Sequence, residues 1–205
     1  MSASSQAIAA RVRTAGGLVL LAGEALAAES GIPPRPDSLD WDVYGPRMRA
    51  IYAAEPGPGH VAARRLQDDG WLRGVVTDAD DVLFDEAGVR DVVRLGGSVE
   101  LSICPGCGYT EPLGCLLELL PRPRCAACGG PLRPVVARPS EAPAVDALAR
   151  ARETVSRPGL IVLAASGPLG GICEGREADT VVLGDDGAGP RLLAVAEMLG
   201  PRELP

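Results

Sequence analysis

Short runs rich in β-branched and other apolar residues alternate along this chain with stretches in which apolar residues recur every three or four positions. The apolar runs, which predict buried strands, are 18–22, 74–77, 92–95, 99–103, 160–165 and 180–183. Helical spacing is found in 24–29, from His60 onward, in 144–155 and in 191–199. Such an alternation is typical of a parallel α/β sheet.

Two pairs of cysteines interrupt this pattern. Cys104 and Cys107 lie in CPGC, Cys125 and Cys128 lie in CAAC, and 17 residues separate the pairs. Each C-x2-C turn presents two thiolates, and two such turns complete the tetrahedron that zinc prefers. We therefore predict a structural zinc ribbon, because four thiolates leave no coordination position for water or substrate.

Together these features predict an α/β fold: a Rossmann-like parallel sheet with an inserted four-cysteine zinc-ribbon lobe and a small helical lobe. The prolines at 33–36 end the first helix after the first strand, and a small helical segment is expected around 47–54. The predicted division is 1–33, 60–100 and 141–205 for the Rossmann-like domain, 34–59 for the helical segment and 101–140 for the zinc lobe.

Composition limits the function. The chain has 205 residues, 46% of them hydrophobic and 3% aromatic, with a formal net charge of −7. The charge argues against a duplex-DNA binder. An arginine patch around the zinc lobe still leaves a nucleic-acid-binding ribbon as an alternative. All basic residues are arginine, so lysine chemistry is excluded.

The cysteines also bear on location. The first residues show no secretion signal, and the apolar run 18–28 is too short to span a bilayer. Cysteine pairs without a secretion signal indicate metal binding in a reducing, cytoplasmic setting without membrane attachment. Cys115 and Cys173 are expected to be ordinary buried thiols.

An acidic run follows the predicted strand 74–77. It consists of Asp78, Asp80, Asp81, Asp85 and Glu86. Such oxygens can bind a divalent cation. A solvated loop leading into an acidic helix start is the alternative that we favour.

Read in order, five segments resemble the sirtuins, the Sir2 family of NAD-dependent protein deacylases. They are AESGIP (28–33), PGPGHVAARRLQDDGWLRGVVTDADD (56–81), AGVRDVVRLGGSVELSICPGCGY (87–109), PRCAACGGPLRPVV (123–136) and GLIVLAASGPLG (159–170). The resemblance covers most of residues 18–184. It implies the family's fold, and it implies that His60 is the structural histidine of a helix.

The resemblance fails at the nucleotide loop. Where the family has G-A-G-I-S, this chain has Gly23-Glu24-Ala25-Leu26-Ala27. Ala25 adds a Cβ where the family's backbone approaches the pyrophosphate. Glu24 adds a carboxylate near the expected phosphate, which we expect to repel a dinucleotide unless it turns to solvent and caps the helix.

Other positions of the family's active site also differ. In T-Q-N-I-D the asparagine becomes Ala79, although Asp81 is kept; in H-G the catalytic histidine becomes Gly96. The G-T-S motif becomes Ala-Ala-Ser, ending at Ser166, and the W-F-G-E segment becomes 137–140, ARPS. By resemblance, the base and the aromatic walls of the acyl-lysine channel are therefore missing.

These losses lead to the hypothesis of a catalytically inactive sirtuin-like scaffold that keeps its structural zinc, binds no NAD and has no catalytic residue. Its expected partner is a protein: an enzyme subunit, an active homologue or a second copy. The alternative is a residual or repurposed sirtuin-type enzyme, acting as an NAD-dependent deacylase, as an ADP-ribosyltransferase or with new chemistry in the old cleft.

Overall fold

The computed structural model describes residues 4–138, 141–165, 168–184 and 186–203. The helices are α1 (Ser5–Ala15), α2 (Glu24–Glu29), α3 (Trp41–Ala53), α4 (Pro58–Asp68), α5 (Leu83–Glu86), α6 (Val145–Val155) and α7 (Ala188–Leu199). The strands are β1 (Leu18–Ala22), β2 (Leu72–Thr77), β3 (Val92–Arg94), β4 (Gly97–Ile103), β5 (Thr110–Pro112), β6 (Arg133–Val136), β7 (Leu160–Ala164) and β8 (Thr180–Val182). Short 3-10 helices cover Leu113–Leu119, Pro168–Cys173 and Glu177–Asp179.

The predicted parallel sheet is confirmed. Its five strands lie in the order β3-β2-β1-β7-β8, and every neighbouring pair is parallel. The chain leaves central strand β1 to one side for β2 and later returns on the other side as β7. This reversal opens a crevice beyond the carboxyl ends of β1 and β7, where sheets of this kind hold their ligands.

Both faces of β1 are buried, which explains its uninterrupted apolar run. Leu18 and Leu20 belong to a core shared with α1, α4 and α7. Val19 and Leu21 belong to the opposite core, which includes Ala151 of α6. Successive side chains of a strand point to opposite faces, so only a strand covered on both sides is apolar throughout.

The small helical segment and the zinc lobe share a third core. Tyr44 and Met48 of α3 pack in one cluster with residues of the zinc lobe. These are Val99 of β4, Val136 of β6 and Leu113, the first residue of a 3-10 helix. The lobe itself is built on a three-stranded antiparallel sheet in the order β5-β4-β6. The inserted four-cysteine lobe and the small helical lobe thus lie on one side of the cleft, and the parallel sheet lies on the other.

The boundaries of several elements differ from the sequence-based predictions. Helix α3 begins at Trp41 rather than near Arg47, and it includes Pro46. Helix α1 was not predicted, although Ser4 caps it by accepting a hydrogen bond from the Ala7 N–H at 3.2 Å, and Gly16 ends it at φ 71°. These are ordinary start and stop signals, hidden by the small and polar composition of the segment.

Within the described ranges, no helix combines the length and the apolar character that crossing a bilayer requires.

Candidate active-site cleft

A cavity of about 460 Å³ lies in the crevice between the sheet and the zinc lobe. Its apolar wall is formed by Leu95, Leu148, Leu169 and Ile172. Its polar wall is formed by Arg35, Asp78, Arg138, Glu141 and Arg152. Gly96 and Ala137, at the root of the zinc lobe, also line it. A concave apolar site of this size with a few charged groups is typical of small-molecule binding.

The loop after β1 is held close to β7. The Gly23 N–H donates to the Ala164 carbonyl oxygen at 3.1 Å. A Cβ on Gly23 would lie 2.7 Å from the Ala165 Cβ, so this position admits only glycine without a shift of the strand ends. Close packing against Ala165 therefore explains why position 23 of the nucleotide loop is glycine.

Glu24 does not point freely to solvent. Its Oε2 accepts a hydrogen bond from Arg47 Nη2 at 2.7 Å, and its Oε1 lies 3.7 Å from Arg35 Nε. Two guanidinium groups therefore offset this carboxylate. The expectation that Glu24 would repel a phosphate is therefore corrected, because it did not include the two arginines that balance this carboxylate. Ala25 follows on α2, half-buried.

A buried ion network lies behind the loop. Arg47 and Asp80 are 2% and 0% exposed, and Arg47 Nη2 lies 2.5 Å from Asp80 Oδ1. Asp80 Oδ2 also accepts from the Tyr44 hydroxyl at 2.7 Å, while Arg47 Nη1 donates to the Pro33 carbonyl oxygen. Burial and the neighbouring Asp80 carboxylate raise the pKa of Tyr44, so its hydroxyl remains a donor.

The acidic run was predicted to be a solvated loop, and this is wrong for its centre. Asp80 and Asp81 are buried, at 0% and 4% exposure. Asp81 Oδ1 accepts from the Leu83 N–H at 3.0 Å, and burial raises the pKa of its carboxyl. Ala79, in the place of the family's asparagine, is also buried, and its N–H donates to Thr77 Oγ1 at 3.1 Å.

Position 96 has no room for a side chain. A Cβ built on Gly96 would lie 2.5 Å from Arg35 Nη1 and would overlap the backbone oxygen of Asp78. The Gly96 carbonyl oxygen accepts from the Ala137 N–H at 2.9 Å, which fixes this backbone against the zinc lobe. The guanidinium of Arg35 therefore occupies space next to the position where the resemblance places the catalytic histidine.

His60, the single histidine of the chain, lies in α4 away from the cavity lining. Its Nδ1 accepts a hydrogen bond from the Gly57 N–H at 3.2 Å, and its ring centre lies 4.7 Å from that of Phe84. Burial lowers its pKa to about 4, so it is neutral at pH 7. The geometry is that of a capping and packing residue. Ser166, and residues 139–140 of the predicted acyl channel, lie outside the described residues.

The four cysteines of the predicted zinc site come together. Their sulfur atoms all lie within 4.8 Å of one another, with Cys104–Cys128 at 3.5 Å and Cys107–Cys125 at 3.6 Å. Zn–S bonds of about 2.3 Å in a tetrahedron require sulfur atoms about 3.8 Å apart, so the cluster fits zinc.

Both turns that present these sulfurs have the same geometry. The Gly108 N–H donates to the Cys104 carbonyl oxygen, and the Gly129 N–H donates to the Cys125 carbonyl oxygen, each at 2.8 Å. Gly108 and Gly129 both have φ 73°, which favours glycine.

The two remaining cysteines differ from each other. Cys173 is buried, as predicted, whereas Cys115 is exposed, contrary to the prediction. Cys115 lies in the 3-10 helix Leu113–Leu119, whose buried residues are Leu113 and Leu116. The intervening Cys115 therefore faces outward.

Comparisons with known proteins agree with this geometry. A protein-family model described as the Sir2 family matches residues 26–168. NAD-dependent protein deacylase 1 of Archaeoglobus fulgidus is 32% identical over 170 residues, which cover 72% of this chain and 69% of that protein. NAD-dependent protein deacylase 2 of Pyrobaculum aerophilum is 36% identical over 141 residues, covering 58% of this chain and 56% of that protein.

The solved structures point in the same direction. The crystal structure of a Sir2 homolog–NAD complex matches with a TM-score of 0.80 and 26% identity, covering 97% of this chain and 94% of the other. An ADP-ribose complex of a Sir2 homologue with a serine-to-alanine mutation matches with a TM-score of 0.79 and 27% identity, covering 95% and 96%.

These findings overturn the hypothesis of an inactive scaffold. The relatives are NAD-dependent protein deacylases by name, which favours the enzymatic alternative. The hypothesis judged each altered position by the group that was missing from it. The structure provides what that judgement left out: Glu24 is paired, Arg35 occupies the space beside Gly96, and the cavity is open.

The cysteine cluster yields a first prediction. Cys125→Ser should lose bound zinc and unfold the zinc lobe, because structural zinc contributes on the order of 10 kcal/mol of apparent binding free energy. Metal content by plasma mass spectrometry and amide hydrogen exchange in 97–136 measure both effects. Cys115→Ser is the matched control, since Cys115 lies outside the cluster. Equal zinc content in the two variants would contradict the assignment.

Glu24 yields a second prediction. Burial raises the pKa of its carboxyl from 4.5 to about 7, so its protonated form is favoured in the fold. Its contribution to stability is complete below pH 4.5 and is lost as the pH rises to about 7. Because 31% of the side chain is exposed, the loss should stay below about 3 kcal/mol.

Urea unfolding between pH 4.5 and 8 measures this effect. Glu24→Gln should flatten the decline in the free energy of unfolding over this range. The exposed Glu153→Gln should leave the decline unchanged. Identical curves for wild type and Glu24→Gln would rule out the raised pKa.

Proposed function

Because this chain belongs to the Sir2 family, we propose that it is an enzyme of the sirtuin type that binds NAD or an ADP-ribosyl compound in the cleft. The observation that carries the proposal is the open cavity of about 460 Å³, lined by Asp78 after β2 and Leu169 after β7, next to the point where the strand order reverses. Several matched relatives exceed this chain in length, and the alignment spans 56% of the second.

Support for a nucleotide comes from the charges around the β1 loop. Glu24 is offset by Arg47 and Arg35, so the loop does not present an isolated negative charge. Asp78 Oδ1 and Asp81 Oδ2 are buried acceptors without a hydrogen-bond partner among the described residues. Buried oxygens in this state favour a ligand with donors, and the hydroxyl groups of a ribose are such donors.

The altered positions would make this enzyme differ from its named relatives. We propose that the nucleotide is held by a remodelled site at Gly23, Glu24, Ala25, Ala79, Asp81 and Gly96. Among the described residues of the cavity lining, none carries an imidazole. In this proposal the acid–base group is therefore a carboxylate. Burial raises the pKa of Asp78, which lines the cavity, and it raises that of Glu24, in the neighbouring β1 loop, to about 7. A carboxyl group with a pKa of about 7, as for Glu24, suits proton transfer near neutral pH.

The reaction class is one that releases nicotinamide from NAD. Deacylation of a protein and transfer of ADP-ribose to an acceptor have this product in common. In this proposal the zinc is structural, and the expected partner is a protein or peptide substrate. A nucleic acid is not expected with a net charge of −7.

The third prediction tests nucleotide binding. NAD and ADP-ribose should raise the melting temperature of the wild-type protein by several degrees at a concentration of about 100 times the dissociation constant, equivalent to ~2.7 kcal/mol. Gly23→Ala should abolish the shift, because its Cβ would lie 2.7 Å from the Ala165 Cβ. Gly45→Ala is the matched control, since its Cβ would meet no atom closer than 3.6 Å.

Turnover is measured in the same preparations as release of labelled nicotinamide, with and without an acylated peptide. Nicotinamide release by the wild type and by Gly45→Ala, but not by Gly23→Ala, is the expected result. A folded wild-type protein that shows neither a thermal shift nor nicotinamide release at millimolar NAD would refute the proposed function.

A further inference from the structure

The side chain of Arg35 is charged, buried and short of partners. It is 9% exposed, and its nearest carboxylate oxygen is Glu24 Oε1, 3.7 Å from Nε. Neither Nε nor Nη1 has a hydrogen-bond partner among the described residues. A buried guanidinium that leaves donors unpaired is destabilising unless something completes its hydrogen bonds. Arg35 lines the cavity, so a ligand there can complete them.

Gly96 makes this position of Arg35 sterically feasible. Any side chain at 96 would bring its Cβ to 2.5 Å from Arg35 Nη1. The same Cβ would also overlap the backbone oxygen of Asp78, so the Asp78 backbone and Arg35 both require glycine at 96, and the guanidinium lies at the root of the zinc lobe, on the wall of the cavity.

The charges of the lining favour an anion. Arg138 Nη1 is paired with Glu141 Oε1 at 2.6 Å, which leaves Arg35, Arg152 and the carboxyl group of Asp78 in the lining, while Glu24 Oε1 lies 3.7 Å from Arg35 Nε. Burial raises the pKa of Asp78, which weakens its negative charge. Its Oδ1 is buried and accepts no hydrogen bond from the described residues. One end of the cavity thus presents the N–H donors of Arg35, and Asp78 Oδ1 is an acceptor in the same lining.

The opposite wall is apolar. Leu95, Leu148, Leu169 and Ile172 line it, and of these Leu95 and Leu169 are 6% and 1% exposed. A short carbon chain fits such a wall, and water is a poor occupant there.

We propose that the cavity binds a small organic acid, with its carboxylate or phosphate on Arg35 and its carbon chain against the apolar wall. This ligand would be a second substrate of the enzyme that takes the place of a protein or peptide, and in that respect the inference rests on the proposed function. A guanidinium suits both acids because its donors match two oxygens at once.

The experiment measures binding by calorimetry to the zinc-loaded protein without NAD. Malate and glycerol 3-phosphate are the acidic probes, and succinamide is the neutral counterpart of similar size. The wild type should bind at least one acid about 10-fold or more tightly than succinamide, and the tighter acid identifies the group that Arg35 takes. Equal binding of all three compounds, or no binding, would overturn the inference.

Variants test the role of Arg35 itself. Arg35→Gln should weaken binding of the preferred acid by about 10-fold or more, and Arg35→Lys should weaken it less, because it keeps the charge. Arg150→Gln is the matched control: Arg150 lies on α6 but outside the cavity lining. Unchanged affinity in a folded Arg35→Gln variant would refute the assignment.

Gly96→Ala provides a second variant, since its Cβ would lie 2.5 Å from Arg35 Nη1 and would overlap the backbone oxygen of Asp78. It should lower affinity for the acid although residue 35 is still arginine, and unchanged affinity would count against the inference. If neither variant folds, the wild-type comparison of acids with succinamide still decides the question.

The two proposals fail separately. Nicotinamide release without preferential acid binding would remove the organic acid and leave the sirtuin-type enzyme. Arg35-dependent acid binding without any response to NAD would keep the anion site and remove the nucleotide.

Discussion

The contact between Arg47 and Asp80 holds the cleft together. These groups lie in α3 and in the segment after β2, 33 positions apart in sequence, and both are almost completely buried. Arg47 also bonds to Glu24 at the start of α2 and to the Pro33 carbonyl oxygen. Breaking a buried pair leaves an unpaired charge in a poorly solvated place, typically at a cost of about 3–5 kcal/mol. The network therefore constrains where the small helical segment meets the sheet.

The same contact determines what the cavity offers to a ligand. Glu24 Oε2 is engaged by Arg47 Nη2 at 2.7 Å, whereas Arg35 stands 3.7 Å from the other oxygen. Arg35 thus contributes to balancing Glu24 while its Nη1 stays available. A charge in such a recess interacts with a ligand more strongly than it would in water, because the surrounding dielectric response is weaker.

Much of the fold could be predicted from the sequence, because its signals are local. Strands covered on both faces have continuous apolar runs, as in β1 and β7. Two C-x2-C turns indicate a metal-binding cluster. The ion network could not be predicted in this way. Nothing near Asp80 in sequence indicates that Arg47 will neutralise it, so an acidic run that is buried at its centre was taken for a solvated loop. Cys115 was predicted to be buried for a similar reason. It lies in a 3-10 helix that directs it outward, and the sequence around it has no periodic pattern that predicts this helix.

The altered active-site positions also depend on contacts that are distant in sequence. Comparing Gly96 or Glu24 with a family motif one position at a time identifies a lost group, yet it cannot detect a group that arrives from elsewhere in the chain. Arg35 lies far before Gly96 in the sequence, and only the folded chain brings its Nη1 to the site that a Cβ at 96 would need. Arg35 balances part of the charge of Glu24, but its Nη1 has no hydrogen-bond partner among the described residues. A buried donor without a partner carries a desolvation penalty, which an anion in the cavity would remove.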